Sequence, residues 1–498
     1  MQYFMLFLLS LAWPTIGKVI SKRNALPNQP EVTLSRGSVL SGTVDQNASS
    51  VRQFLGIPYA QPPVEELRWE APRANRLPSS VNATAFGRSC TQFVTTTANV
   101  FTRDVLEFNI RDANTTGEDC LTLSVWTPQH AESLPVVVFF YGGGWYAGGQ
   151  DIPYQIPTQW VQRTRDLIVV VPNFRGNIFG FPNARGAEDQ NLGLLDQRLA
   201  VEWVRDNIKS FGGDPGKITI WGQSSGAEAV DIYNYAWYQD PIVKGLIMDS
   251  GTVFIENGQG PRYSNFSYVA SHVGCGNTSN AQEELACMKK VDAAKLENFV
   301  AKENDEGSTS GLAFGPPADE KIVFSNYTNR AQQGKLTKVP AIIGINKQDG
   351  NVFAPYNASG PDPALSELYF LEIFLCTSYK TATENNQRYR LRAAAGLPTY
   401  RYLYAGNFSN ISPRPWLGAY HQSELPLLFG THGNYRGPST NYETAVSNAM
   451  QDAWRAFAND PEHGLVGQHW PKFTLERDVV RSFGENGTVA RNGVVAGR

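Results

Sequence analysis

Neither sign of charge dominates this chain: 43 Lys and Arg face 46 Asp and Glu, for a net charge of −3. With no long basic run either, nucleic acid and anionic membrane surfaces are poor candidates for partners. Histidine is scarce, at six residues, and no cluster of His, Cys, Asp and Glu has the spacing of a metal site. Neither a metal nor an organic cofactor is expected. No Pro-, Gly- or Ser-rich linker and no low-complexity tract divides the sequence, so residues 18–498 are expected to form one elaborated domain. Long apolar runs are missing too. The opening stretch Phe4-Met5-Leu6-Phe7-Leu8-Leu9 is too short to span a bilayer, and the small residues Thr15 and Gly17 follow it. Residues 1–17 read as a signal peptide on that pattern, although the first cation is Lys18. Val494 to Arg498 shows no apolar tail, and a stable membrane anchor is not expected.

What the chain does contain points to the secretory route. Ten N-x-S/T sequons occur, at Asn47, Asn82, Asn114, Asn265, Asn277, Asn326, Asn357, Asn407, Asn410 and Asn486. One or two would arise by chance; ten fit a surface shaped under glycosylation. Five cysteines call for a pairing argument. Cys90 and Cys120 flank a polar loop, and Cys275 and Cys287 flank a shorter one. Closing these loops would stabilise the fold by roughly 3.7 and 2.9 kcal/mol in the chain-entropy account. Cys376 is left over after the apolar run Leu371 to Leu375 and reads as a buried free thiol.

From about Val39 to Phe140 short β-like runs alternate with turn residues, as in an antiparallel opening to a sheet. Val136–Phe140, Leu167–Val171, Ile218–Trp221 and Ile342–Ile345 are continuous apolar runs, which suit strands buried on both faces. Between the second and third, Leu194 to Ile208 has mostly helical apolar spacing, and Gly212-Gly213-Asp214-Pro215 stops it. Strand, helix and strand in that order predict right-handed crossovers and a mainly parallel α/β sheet, with helices on both faces.

Gly222-Gln223-Ser224-Ser225-Gly226 fits G-x-S-x-G. The pattern alone is weak; its setting, after an apolar strand and before a helix-forming Ala227-Glu228-Ala229-Val230, is what gives it content. A strand–turn–helix elbow holds its serine in a strained backbone and tolerates only small neighbours. The stretch Phe211 to Gly226 resembles the serine signature of the type-B carboxylesterase/cholinesterase family. Glu118 to Pro128 resembles that family's second signature, and Phe54 to Pro63 its N-terminal motif. The likeness, with Asn191 to Gln197, extends from about residue 37 to 470. It implies the α/β-hydrolase fold with large loop insertions, and a serine esterase working through an acyl-enzyme.

The resemblance also implies partners for Ser224. Tyr141-Gly142-Gly143-Gly144-Trp145 follows an apolar strand, and Gly143, Gly144 and Ser225 would donate amides to the oxyanion. His421, in Gly418-Ala419-Tyr420-His421-Gln422-Ser423-Glu424, resembles the family's G-x-x-H-x-x-E pattern around the base. His432 is the nearest rival but reads as part of a solvated turn. Asp349, before Gly350, stands where many relatives carry Glu, and falls between serine and histidine as this fold requires. The plainer reading of Asp349-Gly350 is an ordinary turn.

Two departures disfavour a choline ester. The loop from Cys90 to Cys120 has no Trp to face a quaternary ammonium. Gln223 precedes the serine where true cholinesterases have Glu. A small uncharged ester is therefore the expected substrate. The same loop carries Val100, Phe101, Val105, Leu106, Phe108 and Ile110; ordinary packing and a lipase-like lid are both open, the former preferred. A tailoring esterase or transacylase, amide hydrolysis, and a non-catalytic adhesion protein are rivals, the last requiring a broken triad.

Overall fold

A computed structural model describes residues 29–494, apart from 113–114, 255–259, 277, 307–311, 372–386, 475 and 478. The expected signal peptide, the sequons at Asn114 and Asn277, and the unpaired Cys376 lie outside the described residues.

A small separate sheet is made of β1 (Glu31–Thr33), β2 (Val39–Ser41) and β5 (Ser80–Asn82). The main sheet comprises β3 (Thr43–Val44), β4 (Val51–Pro58), β6 (Thr122–Pro128), β7 (Leu134–Phe140), β8 (Ile168–Pro172) and β9 (Gly213–Gln223). It continues through β10 (Gly245–Asp249), β11 (Ala341–Asn346), β12 (Thr399–Tyr404), β13 (Val479–Glu485) and β14 (Thr488–Val494). Its order is β14-β13-β12-β11-β10-β9-β7-β8-β6-β4-β3. Pairing is parallel from β8 through β7, β9, β10, β11 and β12 to β13. The N-terminal strands β3, β4 and β6 pair antiparallel, as the alternating opening region predicted.

The apolar runs became strands for the expected reason: β8 and β11 are buried at every position, as is β10, which the sequence reading did not single out. Helices cover both faces. On one, Trp221 of β9 meets Trp160 and Phe429, from the helices Thr158–Thr164 and Leu425–Phe429. The helices Leu192–Asn207 and Ser225–Ala236 make the crossovers into and out of β9. The chain has the α/β-hydrolase fold.

One feature departs from expectation. The far edge also ends antiparallel, in the hairpin β13–β14. Asn486 and Gly487 both have positive φ, 50° and 76°, the conformation that lets a two-residue loop follow the strands' twist. The Asn-Gly dipeptide was the available signal, read above only as a sequon. Among the other sequons, Asn47, Asn82, Asn326, Asn357, Asn407 and Asn486 are exposed and Asn265 half-buried. Asn410 differs from these: it is 6% exposed, and its amide donates to His432 O and Glu443 Oε1.

Candidate active site

Parallel strands deliver their following loops to one edge, and ligand sites of α/β sheets form there. β9 delivers Ser224 at the head of the helix Ser225–Ala236. Its φ of 57° and ψ of −128° are unusual for a residue with a Cβ, a conformation costing about 1–3 kcal/mol that persists only under constraint. The constraint is local. The Ser224 amide donates to Asp249 O at 2.8 Å, and the Ser224 carbonyl accepts from Glu228 N at 2.9 Å. Gly226 passes so close to the end of β7 that a Cβ there would lie 2.1 Å from Phe140 O. The turn can close only with glycine at that position.

β7 delivers Gly142–Gly144. Gly143 has φ 129°, and a Cβ on it would meet Ala147 O at 2.1 Å, so the loop's shape also demands glycine. Ser225 is the first residue of its helix, where amides have no partner within the helix.

β11 delivers Asp349 three residues beyond Asn346, at the start of the short turn Asp349–Val352. The structure brings it to His421: imidazole Nδ1–H donates to Asp349 Oδ1 at 2.9 Å. Asp349 Oδ2 accepts from Ser250 Oγ and from Asn346 N, each at 2.8 Å. With the proton on Nδ1, His421 Nε2 is an acceptor, and Gln223 Nε2 donates to it at 3.2 Å. Asp349 has no exposure and His421 2%. His432, the rival base, instead pairs with Ser439 and Glu443.

Two further carboxyls lie nearby, and the sequence reading passed over both as site residues. Asp249, at the end of β10, is buried and pushed up to about 7 by that burial; bonds from Trp221 and Tyr402 oppose the shift, and the charge of Asp349 adds to it. Glu424 is pushed well above the carboxylate range by burial and by Asp249 and Asp349, with Asn346 donating to it. Glu424 was visible within the pattern around His421; Asp249 had no sequence signal beyond ending a strand.

Ser224, His421 and the glycine loop line a cavity of about 180 Å³ whose wall includes Phe101, Phe108 and Phe353. A larger cavity, about 550 Å³, adjoins it at Phe93, Gly144 and Tyr146. The loop from Cys90 to Cys120 forms part of the first wall and is closed by its disulfide; Cys275 and Cys287 are also bonded. Val100, Val105, Phe108 and Ile110 are buried, while Leu106 is exposed. Asp104 and Glu107 pair with Arg414 and Arg436. The loop is packed onto the body. Among the described residues no group of His, Cys, Asp and Glu is placed to hold a metal, and no helix is long and apolar enough to cross a membrane.

A serine elbow at the carboxyl edge of a mostly parallel sheet, with a histidine–carboxylate pair beside it, defines an α/β-hydrolase. Comparison with known proteins narrows the class. The family model described as "Carboxylesterase family" matches residues 28–370 and 365–495. The chain is 43% identical over 471 residues to a chlorogenic acid esterase of Aspergillus niger, covering 90% of each protein. It is 41% identical over 464 residues to secreted lipase 5 of Gibberella zeae, covering 86% of this chain and 85% of that one. A mouse cholinesterase is 27% identical over 528 residues, covering 95% and 85%. The chain belongs to the Carboxylesterase family and is a carboxylic ester hydrolase.

Proposed function

We propose that Ser224, His421 and Asp349 form the catalytic triad of this esterase and that the reaction passes through an acyl-enzyme. The observation that carries the reading is the imidazole's hydrogen bonding: Nδ1–H given to Asp349 leaves Nε2 as the acceptor, the tautomer a general base needs. His421 Nε2 takes the proton of Ser224 as Oγ attacks the ester carbonyl. The carbonyl oxygen becomes an oxyanion held by the amides of Gly143, Gly144 and Ser225. Collapse expels the alcohol, which leaves with the proton from His421. Water, deprotonated by the same imidazole, then releases the acid and restores Ser224.

Uncharged esters are the proposed substrates: Gln223 is neutral, and the walls near Ser224 include Phe101, Phe108 and Phe353. The packed disulfide loop favours dissolved esters over aggregated lipid. Given the name of the Aspergillus relative, aromatic acid esters are the first to assay. The relative named as a secreted lipase supports export of residues 18–498 as one domain after removal of 1–17. Fluorophosphonate labelling with peptide mapping tests the core of the reading. The account expects one adduct, on Ser224, with no labelling and no turnover in Ser224→Ala; an active Ser224→Ala enzyme would refute it.

A further inference from the structure

Trp145 follows the glycine run with a left-handed backbone, φ 69°, which a large side chain adopts only when its surroundings impose it. Two contacts impose it. The amide of Asn177 donates to the Trp145 carbonyl at 2.7 Å, and the indole Nε1–H donates to Glu228 Oε2 at 3.0 Å. Trp145 and Glu228 are buried, at 4% and 6% exposure, where a hydrogen bond is electrostatically stronger than in water. Phe181 packs edge-on against the indole at 5.2 Å between centroids. Glu228 stands on the first turn of the helix that Ser225 begins, and its own amide binds the Ser224 carbonyl. One side chain therefore ties the loop of Gly143 and Gly144 to the helix that carries Ser225. The three amides proposed above as oxyanion donors come from these two pieces of backbone, and the bond between Glu228 and Trp145 is a side-chain link that fixes one against the other.

We propose that Glu228 is a positioning residue for the oxyanion hole, acting through Trp145 and not on the reacting atoms. The proposal rests on the oxyanion assignment made above. Its alternative is contact with substrate, since Glu228 also borders the larger cavity. Donor geometry matters only once charge develops on the carbonyl oxygen, so loss of the link should lower kcat and leave KM nearly unchanged. Glutamine keeps the acceptor for the indole N–H; leucine removes it; phenylalanine at 145 removes the donor and keeps a ring.

The test uses the full-length enzyme, a soluble p-nitrophenyl ester, and a trifluoromethyl ketone inhibitor whose adduct places an oxyanion in the same hole. Removing a direct donor costs about 10²–10³ in kcat, so for an indirect prop a loss on the order of tenfold is expected in Glu228→Leu and in Trp145→Phe. KM should change by less than about twofold, and ketone affinity should fall by the same factor as kcat. Glu228→Gln should stay within about threefold of wild type, because its amide oxygen still accepts the indole N–H. Trp145→Phe/Glu228→Leu should be no worse than the poorer single variant, since both remove one bond. Losses in KM instead of kcat, additive losses, or a Glu228→Gln as impaired as Glu228→Leu would overturn the proposal. Ser224→Ala separates the two levels. If it stays active, the triad reading falls and this proposal with it; if it is dead while Glu228→Leu and Trp145→Phe keep full kcat, only the positioning role falls.

Discussion

Asp249 ends β10, Asp349 lies three residues beyond the neighbouring parallel strand β11, and neither has any exposed surface. Burial pushes the Asp249 carboxyl up. The surroundings of the two differ. Asp349 accepts from three groups at 2.8–2.9 Å: His421 Nδ1, Ser250 Oγ and Asn346 N. Asp249 accepts from the Trp221 indole at 2.5 Å and from Tyr402, and is nonetheless pushed up to about 7 by burial. The carboxyl that faces His421 is the one held by these three donors. Its neighbour, one strand away, is fitted to stay protonated at mildly acid pH, with its backbone carbonyl holding the Ser224 amide. Depth does not distinguish the aspartate that faces His421 from its neighbour; their hydrogen-bond donors do.

That contrast can be broken most sharply at Asp349. Asp349→Asn leaves the site's shape while removing the charge that holds the tautomer, and kcat should fall by about 10⁴, with substrate binding little changed. Steady-state kinetics on a soluble ester reads it, and a loss below tenfold would place the acid elsewhere. Ser250→Ala removes one of the three donors to Asp349. A smaller loss in kcat is expected, about tenfold or less, because the carboxylate that holds the imidazole keeps two of its three donors. A wild-type kcat would show that the bond does not help to hold Asp349 in place.

The smallest effect on rate belongs to Asp249→Asn, within about threefold of wild type since the indole keeps an acceptor. Its signature is in stability. In the folded protein Asp249 titrates at about 7, against 3.8 for the unperturbed group. Between those values the folded state holds a proton that the unfolded chain has lost, so this group's contribution to stability declines as pH rises through the window and is constant above it. Asp249→Asn lacks the decline. Melting temperature measured from pH 4 to 8 should show the variant gaining on wild type up to about pH 7; parallel curves would mean that Asp249 is already ionised at the lower end.

The features readable from sequence were those set by residues close together in the chain. An elbow needs glycines within two positions of its serine, and Gly226 leaves a trace because a side chain there would strike Phe140 O. Apolar runs marked β7, β8, β9 and β11 because strands covered on both faces need no alternation. The partners that settle geometry left no such trace. Ser250 reaches Asp349 across 99 residues, and Trp145 reaches Glu228 across 83; nothing in the local pattern of either pair announces the other. Asn410 shows the same limit: nothing in its three-residue motif announces that its amide reaches Glu443, 33 residues on.

Low-field proton NMR of the His421 Nδ1–H tests most directly which buried aspartate orients the base. The account predicts a far-downfield imidazole resonance in the wild type and in Asp249→Asn, and its loss in Asp349→Ala. A resonance that survives Asp349→Ala, or one that vanishes in Asp249→Asn, would contradict it.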